Sequence, residues 1–169
     1  MRFAMNPDKR PPRAGEHPRS ESPADDLTTV RDFWALYQAR RWREAEALLA
    51  PEASCRWWSS RERFDGASAI VHVNEVYPEG WQIHLLELHA LPDGRVLSLL
   101  RVDQGEAQFY ANSYLRLHEG RIVQLDEYWS DVQPAPGWRQ DPQAPLPGLH
   151  PLNPDQRPGL PLDPPSKSR

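Results

Sequence analysis

Apolar positions along the chain change period once, near residue 80. Before it they recur at helical spacing: Leu27, Val30, Phe33, Trp34 and Tyr37 fall at i, i+3, i+6, i+7 and i+10, one face of a 3.6-residue repeat. Asp25 and Asp26 stand just ahead, where carboxylates suit the free N–H groups and the positive end of a helix. A short second helix is predicted over 42–49, ended ahead of Pro51, and then a strand over 53–59 (ASCRWWS). Asp65 is placed to cap a third helix with Ala67, Ile70, Val71, Asn74 and Tyr77 on one face, stopped by Pro78 and Gly80.

Past residue 80 the period shortens to two, and the apolar runs are cut by glycine-bearing turns. Strands are predicted over 81–91, 95–103, 106–117 and 121–130, joined by Pro92-Asp93-Gly94, Gln104-Gly105 and His118-Glu119-Gly120. Connections that short make a four-stranded antiparallel meander. Helices first and a meander afterwards is an α+β plan, with the helices packed on one face of a curved sheet.

Composition sets the limits of that domain. Of the 19 prolines, 5 lie in residues 1–24 and 9 in residues 142–169, whereas all 7 Trp and all 5 Tyr lie in residues 25–141. The foldable unit is therefore 25–141. The leader 1–24 and the proline-rich tail 142–169 are expected to be disordered and dispensable for folding. The tail's PQAP, PLNP and PGLP segments favour extended polyproline II, read as linker rather than as a recognition motif.

Charge narrows the partners. Residues 25–141 hold 12 Lys+Arg against 19 Asp+Glu, net −7, which repels phosphate backbones, so no nucleic-acid partner is expected. Both lysines, Lys9 and Lys167, lie in the flanks, which removes Schiff-base and P-loop lysine chemistry from the domain. The single cysteine, Cys55, allows no internal disulfide. There is no signal-peptide core and no membrane-spanning apolar run. These features read as a soluble, cytoplasmic protein with no membrane partner.

Three segments carry a family resemblance: RWWSSRERFDG (56–66), VNEVYPEGW (73–81) and GRIVQLDEYWSDVQPAPGWR (120–139). In this order of elements they resemble the nuclear transport factor 2-like superfamily, in particular its SnoaL-like bacterial branch, over about residues 25–140. The resemblance implies a cone-shaped, curved antiparallel sheet backed by the N-terminal helices, enclosing one apolar pocket. It also implies a homodimer through the outer sheet face. The fold hosts ketosteroid isomerase, scytalone dehydratase, polyketide cyclases, limonene epoxide hydrolase and non-catalytic binders, so it sets the pocket but not the reaction.

The chemistry must come from residues. On the last strand Arg121, Val123, Leu125, Glu127 and Trp129 share one face, and Ile122, Gln124, Asp126, Tyr128 and Ser130 the other. Glu127 then stands in an apolar strip facing the cone, where desolvation raises a carboxyl's pKa and makes it a general base. The alternatives are a structural Glu–Arg pair or a strip at a dimer face. On the second meander strand Leu97, Leu99, Arg101 and Asp103 share a face. An Arg-x-Asp there with an acid on the closing strand resembles limonene epoxide hydrolase, with Arg101 and Asp103 matching its arginine and acid and Glu127 its base. Here Glu replaces Asp and the connection is shorter, and Asp103 can also be read as a solvated strand end.

Asn74 interrupts an apolar helix face and needs a partner, either a ligand or a backbone group. Trp57 and Trp58 point to opposite faces, so only one of them lines the pocket. Trp34, Tyr37, Phe64, Tyr77, Trp81 and Trp129 are the other candidate lining residues, as core, as ligand cage or as both. His84 and His89 are on opposite faces of one strand, and no HxH, HExxH, CxxC, GxSxG, GxGxxG or P-loop pattern occurs, so no metal and no cofactor are expected. A strip of Leu86, Leu88, Ala90, Val96 and Leu100 is expected on the outer, dimerising face. The function expected is binding of a small apolar molecule. The protein is then a cofactor-independent acid–base enzyme (hydrolase, isomerase, dehydratase or cyclase), or a non-catalytic ligand-binding or dimerisation module.

Overall fold

The computed structural model describes residues 22–153 and 157–167, so the predicted leader lies outside the described residues except for its last three positions. Helix α1 spans Pro23–Gln38 and is capped by Ser22, three residues ahead of Asp25. The Ser22 hydroxyl accepts from the Ala24 N–H at 3.2 Å, and the Asp25 carboxylate accepts from the Ser22 N–H at 3.3 Å. Asp25 therefore closes a capping box rather than forming the cap itself. The helix buries Val30, Phe33, Trp34 and Tyr37 of the periodic face, together with Ala35 and Leu36, while Leu27 is half-buried against the core.

Helix α2 is only Trp42–Ala47, because strand β1 (Leu49–Trp57) begins before Pro51 rather than after it. The proline is exposed and falls where the β1 ladder shifts register between Leu49 and Ser54, so its missing N–H breaks no regular pairing. Strand β2 (Glu62–Asp65) folds back antiparallel on β1. Helix α3 (Ala67–Glu75) starts at Gly66, whose φ of +92° favours glycine. Asp65 is thus not its cap; it makes an exposed ion pair with Arg63.

The meander is as predicted: β3 (Trp81–Ala90), β4 (Arg95–Gln104), β5 (Ala107–His118) and β6 (Arg121–Asp131) pair antiparallel in turn. The full sheet has six strands in the order β2-β1-β6-β5-β4-β3, with β1 parallel to β6. Helices α1 and α3 pack inside its curve, and the core runs from Phe33 and Ile70 to Leu100, Leu115 and Leu125.

Two face assignments are corrected. On β4 the interior residues are Val96, Ser98, Leu100 and Val102, so Leu97, Leu99, Arg101 and Asp103 lie on the outer face. Val96 and Leu100 are therefore core (1% and 0% exposed) and not part of a dimerising strip, and Leu88 packs against the core beside Ser98. The reason is that aliphatic residues occupy both parities of this strand, so alternation alone does not choose a face. On β6 a bulge between the Arg116 and Leu117 pairings brings Ile122 (0% exposed) inside with Leu125, which strict alternation separates.

The tail is also corrected. Residues 157–167 lie against the edge strand β3: the Leu160 N–H donates to Leu85 O at 2.6 Å, and Leu162 packs on the core. Arg157 pairs with Glu87, and Arg41 donates to Pro165 O at 2.5 Å. A proline-rich segment covers a sheet edge well, because it adds little competing hydrogen-bond demand. No helix among the described residues is long and apolar enough to cross a membrane. Deleting residues 157–169 is expected to cost about 1–2 kcal/mol and lower Tm by about 2–8 °C in a thermal melt. An unchanged Tm would mean that the docked tail carries no stability.

Candidate functional site

The site is built from one column of paired residues across the inner face of the sheet. Ser98 on β4 pairs with Ser113 on β5, Ser113 with Glu127 on β6, and Glu127 with Trp57 on β1. Paired residues point to the same side, so four polar-capable side chains line up beneath the helices. Trp34 of α1 donates its indole N–H to Ser98 Oγ at 3.0 Å, which secures one end of the column.

Above the column lies a cavity of about 310 Å³. Its walls are mainly aromatic: Phe33, Trp34 and Tyr37 from α1, Trp81 from β3, and Trp57 and Trp129 flanking the acid. Ser59, Ser60, Glu62 and the half-exposed Tyr77 stand toward its mouth. Of the predicted lining residues, Trp34, Tyr37, Trp57, Asn74, Tyr77, Trp81 and Trp129 do line it. Phe64 does not, and instead packs edge-on against Trp57 with ring centres 4.7 Å apart. Trp58 does not either. It stacks on Tyr128 on the outer face.

Glu127 is 4% exposed. Its Oε2 accepts the indole N–H of Trp57 at 2.7 Å and that of Trp129 at 2.9 Å. Burial raises its pKa above the ordinary 4.5; the indole donors of Trp129 and Trp57 oppose the rise without cancelling it. The buried Ser113 hydroxyl, opposite Glu127 in the ladder, makes no hydrogen bond of normal geometry in this rotamer. Both indoles converge on one oxygen, which leaves Oε1 to carry a proton or meet a ligand. Tyr37 and Cys55 face the same acid. Burial first, and then the charge of Glu127, push both well above their ordinary values, so both stay neutral.

Arg101 and Asp103 do not join Glu127. They lie across the sheet, where Arg101 Nη2 and His84 Nε2 approach the same Asp103 Oδ2 at 3.1 and 2.8 Å. The Asp–Arg–acid constellation suggested by limonene epoxide hydrolase is therefore not assembled in this cavity, and no arginine holds Glu127 ionised. Asn74 takes the backbone option, donating to Ile70 O at 3.0 Å. Among the described residues no group of three or more His, Cys, Asp or Glu could hold a metal ion.

Sequence reasoning missed Phe33, Phe109 and Ser113. Phe109 and Ser113 share a parity on β5 with Ala111 and Leu115, a pattern present in the chain but not used. It placed Asp126, the chain neighbour of Glu127, on the opposite face but missed the groups that hold it there. Asp126, 8% exposed, accepts from Arg56 Nε and Nη2 at 2.5 and 2.6 Å, from Trp58 at 2.9 Å and from Gln124 at 2.6 Å. Burial pulls its pKa up, but these hydrogen bonds outweigh it and hold the carboxyl below 3.8.

The helix-backed, curled sheet has counterparts among solved structures. A putative ketosteroid isomerase from Kribbella flavida DSM 17836 superposes with a TM-score of 0.63 at 20% identity, over 77% of this chain and 96% of that one. An NTF-2 like protein of unknown function from Burkholderia xenovorans LB400 gives 0.60 at 17% identity, over 77% and 97%. The fold is the nuclear transport factor 2-like fold. An M. tuberculosis LEH-like epoxide hydrolase shares it at a TM-score of 0.55 and 16% identity, over 63% of this chain and 84% of that one. No family model and no curated protein matches the sequence.

The two neighbouring acids set opposite pH slopes. The native state holds the Glu127 proton more tightly than the unfolded chain, so its contribution is full below about 4.5 and is lost as pH rises through the folded value. Asp126 contributes above 3.8 and loses that contribution as pH falls through its folded value. Glu127→Gln keeps an acceptor for both indoles. It is therefore expected to match the parent's Tm in acid and exceed it at alkaline pH. A Tm difference that does not change with pH would contradict the raised pKa.

Proposed function

We propose that this NTF2-like chain is a cofactor-independent enzyme that relocates a proton on a small, largely apolar molecule held in the cavity, with Glu127 as the acid–base group. The observation that carries this is the geometry of one carboxyl: dry, fixed by two indoles on Oε2, with Oε1 left over. A base that takes a C–H proton becomes the acid that returns it at another atom, so an isomerisation balances on one carboxyl. Epoxide hydrolysis needs an acid and a base at once, and the second candidate acid, Asp103, lies on the opposite face. The neutral Tyr37 hydroxyl, held to Ile70 O by a long 3.4 Å bond, is available as a donor where charge develops on a substrate oxygen. The alternative, a non-catalytic binding module, gives no reason to keep a carboxyl dry without a counter-charge.

The test uses a β,γ-unsaturated ketone (cyclohex-3-en-1-one), followed by the absorbance of the conjugated enone, with styrene oxide hydrolysis in parallel. Turnover of the ketone by the parent and a drop of about 10²–10⁴ in Glu127→Gln, with the fold retained, is the expected result. Equal turnover by both proteins would make Glu127 structural. No turnover of either probe by the parent would favour the binding module.

We further propose that a second copy of the chain covers the outer sheet face. Trp58 and Tyr128 stack there at 6.3 Å while remaining 49% and 45% exposed, and Arg56, Arg95 and Tyr114 line the same hollow beside them. Arginines beside exposed aromatic faces can meet their own copies across a two-fold axis. The buried, unpaired Cys55 suits the reducing cytoplasm in which we place the protein. Sedimentation at micromolar concentration is expected to give twice the chain mass, and Trp58→Glu a monomer. A monomeric parent would remove the dimer from this proposal.

A further inference from the structure

The cavity wall carries charge of one sign only. Among the described residues its charged side chains are Glu127 at the floor and Glu62 at the mouth, and no arginine, lysine or histidine lines it. The rest of the lining is aromatic or aliphatic but for Ser59, Ser60, Asn74 and Cys55. Glu127 is thus a buried carboxyl whose hydrogen-bond partners, two indole N–H groups, are both neutral.

From this we infer that the cavity selects a ligand with an apolar body and one positive charge, a protonated or quaternary amine, with Glu127 as its counter-ion and the indole and phenyl faces around it as the cage. The inference rests on the proposed use of this cavity and narrows its substrate class.

Three physical terms point the same way. An anionic ligand meets two acids and no cation, and is rejected. A neutral ligand gains burial but leaves Glu127 either protonated or uncompensated. A cation recovers the Coulomb attraction that the low-dielectric interior makes large, and it lies against aromatic faces whose quadrupoles favour it. The net −7 on residues 25–141 steers cations toward the protein before they reach the mouth. Recognition of this kind must fade when Glu127 is protonated. The titratable groups facing Glu127 are Tyr37 from α1 and Cys55 from β1, both kept neutral by burial and by Glu127 itself, with Glu62 and Tyr77 farther out at the mouth. The pH dependence of binding is therefore that of Glu127.

The probes are benzyltrimethylammonium and its neutral isostere 2,2-dimethyl-1-phenylpropane, titrated into the full-length protein and followed by tryptophan fluorescence. The cation is expected to bind about tenfold more tightly, or better, at pH 8. That preference is expected to shrink as pH falls through the protonation of Glu127, with a proton released on binding at intermediate pH. It is expected to vanish in Glu127→Gln and largely to survive in Glu62→Gln. Equal or tighter binding of the isostere at pH 8, a preference that ignores pH in the parent, or one that survives Glu127→Gln would each overturn the inference. If Glu127→Gln fails to fold, the parent's pH series decides alone. A lost charge preference together with Glu127-dependent ketone turnover would sink this inference and leave the acid–base proposal standing. A strong preference with Glu127-independent turnover would do the reverse.

Discussion

The parallel pairing of β1 with β6 is the constraint on which the site depends. It aligns Arg56 with Asp126 and Trp57 with Glu127, so two consecutive acids on β6 meet two consecutive, chemically different donors on β1. Because alternate residues point to opposite faces, one register fixes both environments at once. Outside, a guanidinium fork and two further donors hold Asp126 ionised. Inside, two indoles hold Glu127 in place without giving it a positive charge. Hydrogen bonds to a charged group are worth about 1.5–3 kcal/mol each, but only the outer acid also has a cation against it. A slip of one residue in this ladder would put Arg56 in the cavity and Trp57 outside, and would exchange the two chemistries.

Much of this was legible in the chain, and what was not has definite physical causes. The α1 face, the three glycine turns and the placement of Leu125, Glu127 and Trp129 on one side follow from local pattern alone: a single helical stripe, glycines at the turns, and a shared parity past the β6 bulge. The β4 face was not legible, since Leu97, Leu99 and Leu100 make both sides apolar, and that ambiguity carried Arg101 and Asp103 into the wrong compartment. The adjacent Trp57 and Trp58 showed that one must point in and one out. Only the register against β6 says which. That register joins residues about 70 apart in the chain, a separation no local pattern encodes.

Composition misled in a different way. Proline-rich sequence argues against a self-contained core, and the 157–167 segment indeed has none; its burial comes from the edge of β3 and from Leu162. A segment that cannot fold alone can still be ordered by a surface already formed. Proline lowers the entropic cost of that ordering by restricting the free chain beforehand. Pro51 in β1 has a different cause: a residue that ends helices and interrupts ladders is tolerated where the ladder is already irregular.

The cavity therefore concentrates the cost of the fold in one place. Glu127, Tyr37 and Cys55 are buried ionisable groups around a single cavity; burial raises the pKa of all three, and the charge of Glu127 raises those of Tyr37 and Cys55 further. Nothing in packing requires an acid there, since a glutamine or methionine of similar volume would fill the space without the titration. A stable protein that keeps such a group holds free energy in a form that a bound molecule can release, by supplying the charge or the proton that the walls lack. Where a fold buries a carboxyl at the floor of a cavity with no cation beside it, stability and ligand recognition are two readings of the same electrostatic imbalance.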